Sequence, residues 1–323
     1  MTIGGEQPGQ LPAGALAAAR ALAARVEQAV AQAVEVRAEV IEEVIVALIA
    51  EGHVLIEDLP GVGKTTLARA VARVLDLEFA RVQCTADLLP SEVVGTNVFD
   101  RRTSQFEFRP GPIFANVVLV DEINRASPKT QSGLLECLQE RRVTVDAQSH
   151  ELARPFLVLA TQNPIEFEGT YPLPEAQVDR FMVRLSLGYP GPAAEAAMLR
   201  AHEQGDRVAA LEPVAGPTEL LAVQDTARRV HTSDALRAYV VALLGRTRAD
   251  PRVELGASPR AGLLLLRAAK ARALLEGRDH ALPDDVQALA PPVLAHRLVL
   301  APDAHGESPD AIVADALAAT VAL

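Results

Sequence analysis

The sequence predicts an α/β chain: a parallel sheet covered on both faces by helices and carrying two β-hairpin inserts, followed by a small all-α domain. Three observations point there. Short unbroken apolar runs (Val54-Leu55-Ile56, Val117-Val118-Leu119-Val120, Phe156 to Ala160) alternate with stretches of helical periodicity. Strands that are apolar throughout belong to parallel sheets buried on both sides. The first run passes through a glycine turn into Lys64-Thr65-Thr66 and LARAVARVL, whose apolar positions recur at helical spacing. After Gly188-Tyr189-Pro190-Gly191-Pro192 the strand pattern stops and Ala/Leu/Arg helices take over. The 323 residues suit two domains. The reading is a loose Gly/Pro-rich tail over 1–15, an α/β domain over 16–188 and an all-helical domain over 189–323.

Taken in order, Leu16 to Ala50 reads as two helices, the second over roughly Arg37 to Glu51. The first strand and glycine turn follow, then Glu78 to Val82 as a second strand. Asn97-Val98-Phe99 and Gln105 to Phe108 flank a polar turn and predict a hairpin. Val117 to Val120 ends in Asp121-Glu122, and a helix is expected over Lys129 to Glu140 with Pro128 in its first turn. Val143-Thr144-Val145 and Glu151-Leu152 predict a second hairpin. Phe156 to Ala160 ends at Thr161-Gln162-Asn163-Pro164, and Phe181 to Leu187 is the last strand. In the second domain Leu263 to Glu276 is the clearest helix.

Composition narrows the function classes. Apolar residues are 49% and charged residues 23%, enough for a sizeable core. Aromatics are 3% with no Trp, which argues against a stacking platform for single-stranded nucleic acid. A net charge of −11 disfavours any phosphate-backbone partner. Cys84 and Cys137, the only cysteines, read as reduced core thiols of a cytosolic protein. No run approaches the roughly 18 apolar residues of a membrane span, and MTIGGEQPGQLPAGA lacks the regions of a signal peptide. A cytoplasmic location without membrane insertion is expected.

The strand–turn–helix unit is a phosphate cradle. Pro60, Gly61, Val62, Gly63, Lys64, Thr65 and Thr66 would wrap the anion. The N–H groups of the turn face it, Lys64 supplies a point charge, and Thr65 offers a hydroxyl to Mg²⁺. The usual pattern opens with Gly, and here that place holds Asp58. Ligands of open parallel sheets sit beyond the carboxyl ends of the strands, where Asp58, Asp121-Glu122 and Asn163 all fall. Asp121 would hold Mg²⁺, Glu122 would accept a proton from an attacking water, and Asn163 would orient that water. In isolation, Val-Asp-Glu is an ordinary strand cap and Asn-Pro an ordinary turn. The seven histidines show no ligand spacing, so no metal besides Mg²⁺ is expected. Glu166 and Glu168 read as solvated loop residues, and Asp284-Asp285 as first-turn acids favoured by the helix dipole.

PGVGKTTLARA, VVLVDEINRASPKTQSGLLECLQE, LATQNPIEFEGTYPLPEAQVDRFM and GASPRAGLLLLRAAKARAL follow one another in that order. Over roughly Arg37 to Leu300 the chain resembles the MoxR-type AAA+ ATPases. The resemblance implies a P-loop AAA+ core with a helical lid, using ATP and Mg²⁺. It makes Lys64 and Thr65 Walker A, Asp121 and Glu122 Walker B, and Asn163 sensor 1. Arg180 matches the arginine finger that reaches a neighbouring subunit's site, and Arg260 matches sensor 2 on the lid. The hairpins match the helix-2 and pre-sensor-1 inserts. Such proteins typically form rings, often hexamers, and act as chaperone-like motors whose usual partners carry von Willebrand factor A domains. Where the family often has a Val-Gly-Gln-like turn near the adenine, this chain has Val34-Glu35-Val36-Arg37. Arg109 and Arg125 read as solvated. A magnesium-chelatase-like motor subunit and an ATP-gated scaffold with incidental turnover need the same cradle and remain alternatives. A nucleic-acid motor is disfavoured by charge and composition.

Overall fold

The computed structural model describes residues 11–163, 169–189, 191–192, 195–196, 206–304 and 306–321. Pro164, Glu166, Phe167 and Glu168 of the predicted loop lie outside them. The chain divides into two compact units: Val26–Val44 with His53–Pro217, and the N-terminal residues through Arg25 with Ile45–Gly52 and the chain from Thr218 onward.

Helices α1 (Ala13–Ala31) and α2 (Ala38–Ile49) precede β1 (Val54–Glu57) and α3 (Lys64–Val74). β2 (Phe79–Gln83), β5 (Val117–Asp121), β8 (Leu157–Gln162) and β9 (Val183–Leu185) complete a five-stranded sheet in the order β2-β5-β8-β1-β9. Every pairing in it is parallel. The middle strands are buried, as their unbroken apolar runs require. Register then fixes the site. Gln83 lies opposite Asp121, Val120 opposite Ala160, and Glu57 opposite Gln162. The residues that follow β1, β5 and β8 therefore emerge at one rim.

Two polar groups tie β1 into this sheet. His53 donates from Nε2 to the Leu138 carbonyl at 3.1 Å and accepts the Val158 N–H on Nδ1 at 3.1 Å, which fixes a neutral ring. Its own carbonyl accepts the Met182 N–H at 2.7 Å. At the other end, the Asp58 carboxylate takes the N–H groups of Leu187 and Gly188, at 2.5 and 2.8 Å.

Both predicted hairpins are present: β3 (Gly95–Asp100) with β4 (Gln105–Pro110), and β6 (Arg142–Val145) with β7 (Gln148–Glu151). Gly95 has φ +94°, and a Cβ there would meet the Arg109 carbonyl at 2.3 Å, so only glycine fits the hairpin base. Phe108 of β4 stacks on His150 of β7 with centroids 3.8 Å apart, and Asn97 donates to Asp146 at 2.9 Å. The short helix α4 (Pro90–Val94) was not anticipated, since five residues carry no readable period; α5 (Pro128–Glu140) begins where Ser127 accepts the Thr130 N–H. α6 (Glu175–Val178) precedes β9.

The other unit holds α7 (Pro217–Arg229), α8 (Asp234–Ala249), α9 (Pro259–Leu275), α10 (Pro283–Leu294) and α11 (Pro309–Ala319). α9 starts four residues before the expected Leu263 because Ser258 caps it, accepting the Ala261 N–H at 3.1 Å, and Pro259 opens its first turn. Here the structure adds to the all-helical expectation. Val253–Leu255 (β10) pairs antiparallel with Val299–Leu300 (β11), runs too short to show alternation in a sequence. Asp285 is buried, bound to Arg272 at 2.9 Å and Arg278 at 2.6 Å, and accepts the Leu282 N–H at 2.8 Å. It is more than the dipole-favoured acid that its sequence position suggests.

Candidate active site

Between β1 and α3 the chain must turn through Gly61 (φ +83°) and Gly63 (φ +98°), left-handed values natural to glycine. Space beside both is open, so it is the backbone conformation, not crowding, that calls for them. The N-terminus of α3 begins at Lys64 and faces a cavity of about 430 Å³. Pro60, Gly61, Gly63, Lys64, Thr65 and Thr66 line it; Val62 is buried and does not. Lys64 donates to the Asp58 carbonyl at 2.8 Å. Burial pushes its ammonium below the ordinary lysine range, against the opposing pull of Asp58, Asp121 and Glu122.

Asp121, Glu122 and Asn163 line the same cavity. Asp121 Oδ1 accepts the Thr161 hydroxyl at 2.6 Å, and Thr161 Oγ1 in turn accepts the Glu122 N–H at 2.9 Å. Glu122 has φ +56°, a left-handed conformation unusual for a glutamate and a feature often found at functional sites. Its Oε2 accepts from Gln83 Nε2 at 2.9 Å and Arg125 Nη1 at 3.1 Å. Arg125 is thus paired with Glu122 and not simply solvated. Arg81 Nη2 donates both to Asp121 Oδ2 at 2.6 Å and to Gln83 Oε1 at 2.8 Å. Sequence reasoning missed Arg81 and Gln83, and their signal was in view. Both alternate on strand β2, which pairs in register with the strand ending in Asp121.

Arg180 is not among the residues lining the cavity. It follows α6, where its N–H donates to the Gln177 carbonyl at 3.1 Å, and its Nη1 is buried. Arg260 lies in the first turn of α9, in the other compact unit. Before the sheet, Glu35 pairs with Arg207 at 3.1 Å and Arg37 donates to the Ser186 carbonyl at 3.0 Å.

Residues 53–183 match the family described as "ATPase family associated with various cellular activities (AAA)", and residues 245–316 match the AAA lid domain. Chaperone MoxR1 of Mycobacterium tuberculosis is 42% identical over 86% of this chain and 76% of its own length. The chain belongs to the MoxR-type AAA+ ATPases. The uncharacterised protein YeaC of Bacillus subtilis is 49% identical over 84% of the chain and 86% of its own length. A Cytophaga hutchinsonii protein, crystallised as a candidate ATPase, superposes with a TM-score of 0.90. It is 36% identical, and the match covers 96% of this chain and 97% of that one.

Membership of this family implies nucleotide binding and, in general, ATP hydrolysis. The cavity suits that use. Its glycine turn leaves room where an anion would lie, and Thr65 and Asp121 are the hard oxygen donors that Mg²⁺ selects. Cys84 and Cys137 take no part, because burial pushes both thiols up to about 12 and leaves them protonated near neutral pH. Among the described residues no helix is long and apolar enough to cross a membrane.

Proposed function

We propose that this chain is a Mg²⁺-dependent ATP hydrolase that assembles into a ring, a hexamer by family habit, and works as a chaperone-like motor on protein clients in the cytoplasm. One observation carries the reading: Lys64, Thr65, Asp121, Glu122 and Asn163, drawn from three separate strand ends, line a single cavity. In this reading the backbone of Pro60 to Gly63 and the N-terminus of α3 cradle the phosphates, with Lys64 and Thr66 against them. Thr65 and Asp121 hold the magnesium, which when bound offsets the negative charge on the phosphate oxygens. Glu122 accepts the proton of the attacking water, its position set by the Thr161 hydroxyl beneath its N–H. Asn163 orients that water. Arg180 serves the neighbouring subunit's site, and Arg260 is the sensor 2 arginine of the lid. The name Chaperone MoxR1 supports protein clients, and partners with von Willebrand factor A domains are the first to try.

Replacing Glu122 with Gln keeps shape and removes the base. Steady-state turnover should fall by about 10²-fold or more while nucleotide binding survives. Turnover near the wild-type rate would defeat the assignment. A pull-down with the same variant, stalled with ATP, should retain the client that the wild-type protein releases.

A further inference from the structure

Arg81 stands at the cavity mouth with its side chain about half exposed, while the Asp121 side chain is 15% exposed. Its Nη2 lies 2.6 Å from Asp121 Oδ2, and the other carboxylate oxygen is taken by the Thr161 hydroxyl. Both oxygens of the one acidic side chain proposed to hold the metal are therefore engaged within the protein. The two engagements differ in kind. Thr161 is neutral and buried, and a hydroxyl beside a carboxylate does not oppose a cation. The guanidinium is a full positive charge on the oxygen a divalent ion would use. Gln83 Oε1 shares that same Nη2 at 2.8 Å and holds the guanidinium in place.

We infer that Arg81 is an internal counter-cation for Asp121, which Mg²⁺ must displace, so that this arginine sets the magnesium concentration at which the site loads. The inference rests on reading Asp121 as the magnesium ligand. Mg²⁺ gives up water reluctantly and binds through one or two carboxylates, so it competes poorly for an oxygen already neutralised. A partly exposed ion pair is weak enough to be broken in this way. Arg81 lines the same cavity as Lys64.

The test uses the full chain and a fluorescent N-methylanthraniloyl ATP at fixed concentration, with Mg²⁺ titrated upward from EDTA. Complexation in solution is the same for every variant, so differences in midpoint report on the protein. Arg81→Ala should lower the midpoint about two- to five-fold. Arg81→Gln, which keeps most of the side chain's length without its charge, should do the same and covers the case that the shorter variant folds badly. A midpoint that stays at the wild-type value or rises in both overturns the inference. Asp121→Asn is the control for the underlying reading. If the magnesium-dependent rise persists in it, the metal assignment fails. If the rise disappears while the Arg81 variants match wild type, the metal assignment stands and the counter-cation role falls.

Discussion

At the position where phosphate cradles usually open with glycine, Asp58 performs a different task. The residue is 7% exposed, and its carboxylate accepts N–H groups from Leu187 and Gly188, the Ser186 hydroxyl at 3.3 Å, and the Leu59 N–H at 2.9 Å. It clasps the chain leaving β9 to the strand that feeds the cradle, while its carbonyl holds Lys64. Asp58→Gly would therefore restore the common pattern and still weaken the protein. Donors left unpaired in a buried place cost about 2–4 kcal/mol in all, to be read from urea unfolding at pH 7, with Asp58→Asn losing less. Equal stability of the glycine variant would refute the clasp. From sequence Asp58 was visible as a departure at a strand end, and its clasp was not, because Ser186, Leu187 and Gly188 lie about 130 positions away in the chain. Lys64, Asp121 and Asn163 were legible because each sits at the end of its own apolar run. Arg81 and Gln83 alternate on a strand of mixed burial, a signal that is readable but that no motif marks as part of a site.

Among the elements, α10 shows how a cap becomes a structural centre. Burial raises the Asp285 carboxyl, but the Arg278 side chain, the Leu282 N–H and Arg272 more than compensate, so it is held below the usual carboxylate range. A carboxyl depressed in the folded state contributes stability that is complete above its unfolded pKa, about 3.9. That contribution is lost as pH falls through the lower folded value. Asp285→Asn leaves two arginines facing a neutral amide and should cost about 3–5 kcal/mol at pH 7. Thermal melts should show the gap between variant and wild type closing below about pH 4; a constant gap down to pH 2 would rule out the linkage. The sequence marked Asp284 and Asp285 alike as first-turn acids. Only packing separates them, by bringing Arg272 of α9 and Arg278 beyond its end onto one of the pair. The sheet strands and both hairpins were readable from unbroken apolar runs and turn chemistry. α4, α6, β10 and β11 were not, each being five residues or fewer with no apolar run or turn signal to mark it.

For the whole molecule, the placement of Arg180 away from the residues lining its own cavity turns the ring proposal into a stoichiometric one. If the finger acts only on a neighbour, hydrolysis at each site needs a cradle from one subunit and an arginine from the next. Arg180→Ala should then lower turnover by about 10³-fold or more while nucleotide still binds. Lys64→Ala should be equally inactive, for want of a cradle. Neither defect is expected to reach the other's function, because a Lys64→Ala subunit retains its arginine and an Arg180→Ala subunit retains its cradle. In a head-to-tail ring of randomly mixed subunits, about one interface in four pairs an intact cradle with an intact arginine. Mixing the two inactive proteins in equal amounts and allowing exchange should thus recover about a quarter of wild-type turnover. The recovery should vanish on dilution below the assembly concentration, since it exists only in the ring. A mixture no more active than its parts, under conditions where sedimentation shows mixed rings, would mean that Arg180 does not complete a neighbour's site.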